Sequence, residues 1–169
     1  MTSTIAAVPA AGALAPALHP LLTRLVAETG AAVLDASSFD AWAAQPGAAM
    51  VVFAEDPDRY KETLDLAVIV PELFAAAPGQ FRVALLPAAA SRALAPRFAF
   101  ARWPAFVMLR DGQYLGAVDG VRDWDDYVAE LARLLRAEPS RPPTVGIPVR
   151  SAAQASVNAS GQSAEPSCH

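Results

Sequence analysis

The pattern of apolar and polar positions predicts helices alternating with strands. Leucines recur at helical spacing from Leu14 to Leu25, and Gly30 supplies a stop. The run 49–54 is apolar throughout, as expected of a central strand covered on both faces. Shorter strands are predicted at 31–35, 81–85, 105–109 and 114–118. The turn Asp111-Gly112 joins the last two strands and predicts a hairpin.

Two longer helices are expected to cover the sheet. The first, over about 60–77, contains Pro71, and its inward side chains are expected to be Leu64, Val68 and Leu73. The second begins after Asp123, which is expected to cap it. Its apolar stripe is predicted to comprise Trp124, Tyr127, Val128, Leu131 and Leu135. Short helical segments are predicted around 39–42, after a serine cap, and around 94–98.

The resulting order β-α-β-α-β-β-α, with helices on both faces of a mixed sheet, is the thioredoxin pattern. Pro71 occupies the place of the proline that kinks a thioredoxin helix. Trp103-Pro104 precedes a strand where thioredoxins have a cis proline, so a cis bond is predicted there. The predicted fold class is therefore α/β and thioredoxin-like, with a central mixed sheet flanked by helices. The CxxC motif is absent: the one cysteine is Cys168. Because a mixed disulfide needs a nucleophilic thiolate at that site, thiol–disulfide exchange is excluded.

Composition divides the chain into three parts. Residues 1–13 are predicted to be a flexible lead, 14–137 the thioredoxin-like domain, and 138–169 a disordered tail rich in Pro, Ser and Ala. The length of 169 residues suits one domain. No apolar run is long enough to span a bilayer, and the first 25 residues make a poor secretory signal, so a cytoplasmic protein without membrane insertion is expected.

Charge and motifs narrow the function classes. The net charge of −4 argues against a nucleic-acid partner and favours a cationic one. Neither a phosphate-binding loop nor a Ser/His/Asp set nor a metal-spaced cluster is present in the sequence. His19 and His169 have no evident catalytic partner. We therefore expect no catalytic residues, no metal and no cofactor, and predict that the protein is not an enzyme.

Several blocks of sequence resemble one family. They are FAEDPDRY at 53–60, LDLAVIVPEL at 64–73, RWP at 102–104, LRDGQYLG at 109–116 and DWDDY at 123–127. Over about 30–136 the chain is similar to hydrogenase expression/formation proteins of the HyaE/HupG type, thioredoxin-like proteins without the redox motif. The resemblance implies a cytoplasmic chaperone of the [NiFe]-hydrogenase small subunit. It implies binding of the precursor through its twin-arginine signal peptide before export, and possible contact with other hydrogenase accessory proteins.

Acidic residues suggest where such a peptide would bind. Eleven of the 17 acids fall within 55–72 and 119–130, and arginine donates a planar fork to carboxylates. The predicted partner-binding residues are Glu55, Asp56, Asp58, Glu62, Asp65, Trp103 and Pro104. The competing interpretation is that these acids are solvated helix ends, with Asp56 and Asp58 capping the next helix. Trp103-Pro104 likewise is either an inherited turn of the fold or a docking rim.

Two other function classes remain open from the sequence. One is a general redox-inactive thioredoxin-like scaffold that binds some other protein. The other is a transferase that uses glutathione. This second class is disfavoured because no Ser, Tyr or Cys with an evident role begins the required helix.

Overall fold

A five-stranded mixed sheet lies at the centre of the protein, as seen in a computed structural model that describes residues 17–143. Its strands are β1 (Ala32–Val33), β2 (Ala48–Phe53), β3 (Arg82–Leu86), β4 (Ala105–Arg110) and β5 (Gln113–Asp119). The helices are α1 (Pro20–Thr29), α2 (Phe39–Ala43), α3 (Glu62–Ala76), α4 (Ala88–Leu94) and α5 (Trp124–Arg136). A 3₁₀ turn, Ala95–Arg97, extends α4.

The strand order is β1-β3-β2-β4-β5. Strands β1, β3 and β2 are parallel, whereas β4 runs antiparallel to β2, and β5 antiparallel to β4. The predicted mixed sheet is confirmed. The apolar run of β2 is central and buried, because β3 and β4 flank it and helices cover both faces.

Alternate residues of the strands feed two separate cores. Met50 and Val52 of β2 pack with α1, α3 and α5. Val51 and Phe53 face the other side and pack with α2 and α4. Because β2 contributes to both cores, its C-terminal end is packed on both faces of the sheet.

The structure fixes the start of α1, which Pro16 and Pro20 leave open in the sequence. The described helix starts at Pro20, which is the first helical residue. His19 caps it, because its Nδ1 accepts a hydrogen bond from the Leu21 N–H at 3.2 Å. Proline suits the first helical position, because the backbone N–H that it lacks would have no partner within the helix there. His19, for which the sequence showed no catalytic role, thus has a structural one.

The inward face predicted for α3 is wrong in two of its three positions. Leu73 is buried, but Val68 is 47% exposed and Leu64 only half-buried. The buried residues are Thr63, Leu66, Ala67, Val70 and Leu73. Residues 66–70 are all apolar, so no single stripe marks the core side of this helix. Pro71 lies within α3, as predicted.

The stripe predicted for α5 needs a similar correction. Tyr127 and Leu131 are buried, as predicted, and the helix also buries Leu134. Trp124 is 45% exposed and Val128 is 38% exposed. The buried face of α5 is therefore rotated relative to the predicted stripe. It is centred on residues 127, 131 and 134, and residues 124 and 128 lie on its flank. Asp123 is the N-cap residue, but its side chain makes no capping hydrogen bond.

The chain after α5 returns to the sheet. Arg110 of β4 donates hydrogen bonds to the carbonyls of Leu135 and Ala137. The Ser140 N–H donates to the Tyr114 carbonyl at 2.8 Å, although Ser140 falls in the range predicted to be tail. The predicted lead, and the tail from residue 144 onward, lie outside the described residues. Within 17–143, no helix is both long and apolar enough to cross a membrane.

Gly116 of β5 lies directly against Leu134 of α5. A Cβ at this position would overlap Cδ2 of Leu134, which is fully buried. We expect Gly116→Ala to lower the free energy of unfolding by about 1–3 kcal/mol through overpacking. Chemical denaturation measures this loss. In a Leu134→Val background the same substitution should cost less, since the clashing methyl is displaced; costs that simply add would contradict the packing explanation.

Candidate functional site: an arginine-lined groove and an acidic helix pair

The segment before β4 is fixed by hydrogen bonds from both sides. The Trp103–Pro104 peptide bond is cis, as predicted. The Pro104 carbonyl accepts a hydrogen bond from Gly120 N–H at 2.8 Å. The Asp119 carboxylate accepts from the N–H groups of Ala101 and Arg102, at 2.9 and 3.1 Å. Pro104 itself is buried, so of the predicted docking pair only Trp103 is accessible to a partner.

A groove of about 1120 Å³ opens beside Trp103. Aromatic side chains line it: Tyr60, Phe100 and Trp103. Phe100 packs edge-to-face on Trp103 with ring centroids 5.1 Å apart, and Tyr60 lies 6.5 Å from Trp103. All three are half-buried. The groove therefore has a preformed apolar floor.

The aromatic floor is continuous with the core. Phe53, at the end of β2, packs edge-to-face on both Phe98 and Phe100, at 5.6 and 5.1 Å between centroids. Ala99, between Phe98 and Phe100, has a left-handed backbone with φ of 50°. This conformation costs an L-residue about 1 kcal/mol or more, and it accompanies the switch from the buried Phe98 to the groove-lining Phe100.

Four arginines line the same groove: Arg59, Arg92, Arg97 and Arg141. All four are exposed, and Glu55 is the one acidic residue among the lining side chains. Arg97 also donates to Asp40 at 2.8 Å and lies over the ring of Phe39. The groove is therefore cationic, in a chain whose net charge is −4.

Glu55 is buried beneath Arg92. The Glu55 side chain is only 3% exposed, and its carboxylate receives hydrogen bonds from Arg92 Nε, at 2.7 Å, and from Nη2. It also accepts from the Asp56 N–H at 2.8 Å. The Arg92 hydrogen bonds hold the pKa of Glu55 below its ordinary value, against the opposing effect of burial. Glu55 therefore does not belong to an exposed acidic face, contrary to the expectation from the sequence.

Asp56 shapes the turn before α3. Its carboxylate accepts from the Asp58 N–H at 3.0 Å, and its carbonyl accepts from the N–H groups of Arg59 and Tyr60. Neither aspartate caps α3, whose N-cap residue is Lys61 and lacks a side-chain cap. The capping interpretation is thus wrong for these two residues. Asp58 is exposed, whereas Asp56 is half-buried along a second cavity of about 490 Å³.

The exposed acids lie instead at the starts of two neighbouring helices. Glu62 and Asp65 occupy the first turn of α3, and Asp125 and Asp126 that of α5. All four are exposed. Asp65 is close enough to Tyr127 of α5 for its charge to help raise the pKa of that phenol, although desolvation contributes most. We call these four residues, together with Asp58, the acidic surface.

Exposed apolar side chains accompany the acidic surface. Val128 lines a cavity with Leu73 and Ala76 of α3, so this flank of α5 faces α3. Residues four apart share one side of a helix, which places Trp124 on the same flank. Trp124 and Val128 remain substantially exposed. The helix pair thus presents apolar and anionic side chains together.

Neither surface carries the groups of a familiar active site. The described residues include no cysteine, so the groove has no thiolate where thioredoxins keep theirs. Across residues 17–143, no group of three or more His, Cys, Asp or Glu is arranged to hold a metal ion. The two surfaces carry charge of opposite sign, and each lies beside apolar area.

Comparisons with known proteins agree with this description. A family model described as "Hydrogenase-1 expression protein HyaE" matches residues 21–127. The chain belongs to the HyaE family. It is 42% identical over 139 residues to the hydrogenase expression/formation protein HoxO of Cupriavidus necator, a match that spans 81% of this chain and 86% of HoxO. It is 35% identical over 121 residues to HupG of Rhodobacter capsulatus, spanning 71% of this chain and 88% of HupG.

The fold of this HyaE-family chain is thioredoxin-like. A mutant thioredoxin from Halobacterium salinarum superposes with a TM-score of 0.51 at 19% identity, covering 64% of this chain and 93% of the thioredoxin. The fold class predicted from the element order is therefore confirmed, as is the family predicted from the sequence blocks.

The sequence reasoning missed the arginines of this HyaE-family groove. They lie after β2, in and after α4, and after α5, so they are far apart in the chain. A usable indication was present, because in a thioredoxin-like sheet the segment after β2 and the segment before β4 meet at one edge. The first of these segments carries Arg59-Tyr60 and the second carries Trp103, so one groove arginine and two groove aromatics could have been placed together.

Proposed function

We propose that this protein is a non-catalytic maturation factor that binds a hydrogenase small-subunit precursor through its twin-arginine signal peptide. As a member of the HyaE family, the chain belongs to the hydrogenase expression/formation proteins. Binding would hold back export until the precursor is complete. It would therefore take place in the cytoplasm, where the signal peptide is still attached.

The observation that carries this proposal is the acidic surface beside exposed Trp124 and Val128. A twin-arginine signal peptide combines two adjacent guanidinium groups with an apolar stretch. Exposed carboxylates on the first turns of α3 and α5 offer acceptors for the guanidinium groups. Trp124 and Val128 offer apolar area for the neighbouring stretch.

The groove beside Trp103 is unsuited to the paired arginines. Its four arginines would repel them, and its one carboxylate, Glu55, is already paired with Arg92. Of the residues predicted from the sequence, the proposal therefore keeps Asp58, Glu62 and Asp65 and adds Asp125 and Asp126. Glu55, Asp56, Trp103 and Pro104 are assigned no part in arginine binding.

The test is titration of the small-subunit signal peptide against the full-length protein. A Glu62→Gln, Asp65→Asn, Asp125→Asn variant should bind about tenfold more weakly, since each exposed ion pair contributes up to about 1 kcal/mol. The matched control is Glu28→Gln, Glu72→Gln, Glu138→Gln, which removes the same charge from exposed sites elsewhere and should bind normally.

The peptide and the salt dependence supply further controls. A signal peptide with the two arginines changed to glutamine should bind the wild type weakly, and raising the salt concentration should weaken the native peptide. Circular dichroism verifies that the variants fold. Equal loss in both acid-to-amide variants would show that only net charge matters, and equal affinity of all three proteins would remove the acidic surface from the site.

A further inference from the structure

We propose that the groove beside Trp103 binds an extended, carboxylate-bearing peptide segment of a partner protein, at a site distinct from the acidic surface. This inference goes beyond the proposed function, because it concerns a second surface and a ligand of the opposite charge.

The first support is the local charge. Four arginines line the groove, and its one lining acid, Glu55, is buried and paired with Arg92. Arg97 is paired with Asp40, so Arg59 and Arg141 carry the excess positive charge. A chain with a net charge of −4 thus concentrates positive charge at one concave site. Concave sites lined by one sign of charge raise the local concentration of the oppositely charged ligand.

The second support is the donor capacity left on these arginines. Within residues 17–143, the Arg59 side chain makes no hydrogen bond or ion pair, and it lies near enough to Glu55 to contribute to that residue's lowered pKa. Arg92 uses Nε and Nη2 on Glu55, so its Nη1 remains available. Arg97 uses Nη2 on Asp40. Planar guanidinium donors match carboxylates in geometry and charge.

The third support is the aromatic floor, which decides between a single small anion and a peptide. Tyr60, Phe100 and Trp103 offer apolar area between the arginines, and the groove volume of about 1120 Å³ exceeds the usual range of small-ligand sites, about 300–1,000 Å³. Aromatic residues and arginine are the types that dominate protein-binding energies. A segment that alternates acidic and apolar side chains satisfies both features.

The net negative charge of the protein favours an acidic peptide over a dense polyanion as the ligand of the groove. Arginines spaced around an apolar floor match intermittent carboxylates, whereas a nucleic acid or polyphosphate would bring many charges near a protein that is anionic overall. The proposal therefore commits to an acidic peptide segment.

The experiment measures fluorescence anisotropy of labelled peptides added to the full-length protein. The peptides alternate leucine with glutamate, with glutamine or with lysine. The glutamate peptide should bind about tenfold more tightly than the glutamine peptide, as expected when several charge-assisted hydrogen bonds are gained. The lysine peptide should bind most weakly at this groove, and added salt should weaken the glutamate peptide.

Charge-reversal variants show where on the protein the glutamate peptide binds. Arg59→Glu with Arg97→Glu should weaken the glutamate peptide about tenfold, whereas Arg24→Glu with Arg136→Glu changes net charge equally at exposed sites elsewhere and should have no effect. Arg59→Lys with Arg97→Lys should retain part of the affinity, because the charge stays and the planar fork is lost. Circular dichroism confirms that each variant is folded.

Three results would overturn the proposal: equal affinity for the glutamate and glutamine peptides, equal effects of the two charge-reversed variants, or tighter binding of polyphosphate at the same arginines. The Glu62→Gln, Asp65→Asn, Asp125→Asn variant should bind the glutamate peptide normally. The proposal for the groove and the proposal for the signal-peptide site can therefore be contradicted independently of each other.

Discussion

Replacing Phe53 by alanine is expected to lower the free energy of unfolding by about 3–5 kcal/mol, the usual cost of removing a buried phenylalanine. Phe53 is fully buried at the end of β2. Its ring packs against Phe98 and Phe100, so truncation opens a cavity directly under the groove. Urea denaturation measures the loss from the shift in midpoint at constant slope.

The same substitution should also affect binding. Phe100 packs between Phe53 and Trp103, so a cavity at Phe53 loosens the groove floor. We expect weaker binding of an acidic peptide under conditions where the variant is still folded. Phe53→Leu is the control: it keeps most of the volume and should cost less than about 1.5 kcal/mol. A loss below about 1 kcal/mol for Phe53→Ala would mean that the site collapses to fill the space.

The strands and the final hairpin could be predicted from sequence because their patterns are local. The apolar run of β2 and the Asp111-Gly112 turn each predict one structure with few competitors. The helix faces were less predictable. Residues 66–70 of α3 are apolar without interruption, so burial there depends on where α1 and the sheet lie. The spacing of Trp124 matches the stripe and predicts burial, yet Trp124 lies on the flank of α5 and is substantially exposed.

The candidate site was harder to predict than the fold because charge in sequence does not reveal pairing in space. Glu55 belongs to an acidic stretch, but its partner Arg92 lies 37 residues away, on α4. That ion pair removes Glu55 from the exposed surface and helps to make the groove cationic. The acids of α3 and α5 show the reverse: two distant acidic stretches are brought together because the helices pack side by side. Topology could suggest such neighbours, but only coordinates identify the pairs.

The second large effect on stability is expected when the Glu55–Arg92 ion pair is broken. Arg92→Ala removes the main partner of the Glu55 carboxylate and also uncovers part of it. Breaking a fully buried pair typically costs about 3–5 kcal/mol, and we expect a clearly smaller loss here because the Arg92 side chain is itself 49% exposed. Guanidinium chloride would screen the pair, so urea denaturation at neutral pH is the appropriate measurement.

The pH dependence identifies the cause of this loss. In the wild type, Arg92 lowers the pKa of folded Glu55, so the pair stabilises the protein above the ordinary glutamate pKa, and this contribution disappears as the pH falls through the lowered value. In Arg92→Ala the largest cause of the lowered pKa is removed, while burial still opposes the hydrogen bond from the Asp56 N–H, so the pKa of Glu55 rises from its wild-type value. The difference in stability between the two proteins should therefore shrink as the pH falls below about 4.5.

A double substitution distinguishes the cost of leaving the Glu55 charge unpaired from the cost of losing the packing of the Arg92 side chain. Glu55→Gln removes the charge and keeps the shape, so Glu55→Gln with Arg92→Ala should be more stable at neutral pH than Arg92→Ala alone. Its stability should also no longer depend on the protonation of residue 55. If the single and double variants were equally stable, with the same dependence on pH, the loss would come from the contacts of the Arg92 stem, and Glu55 would carry no buried charge that needs a partner.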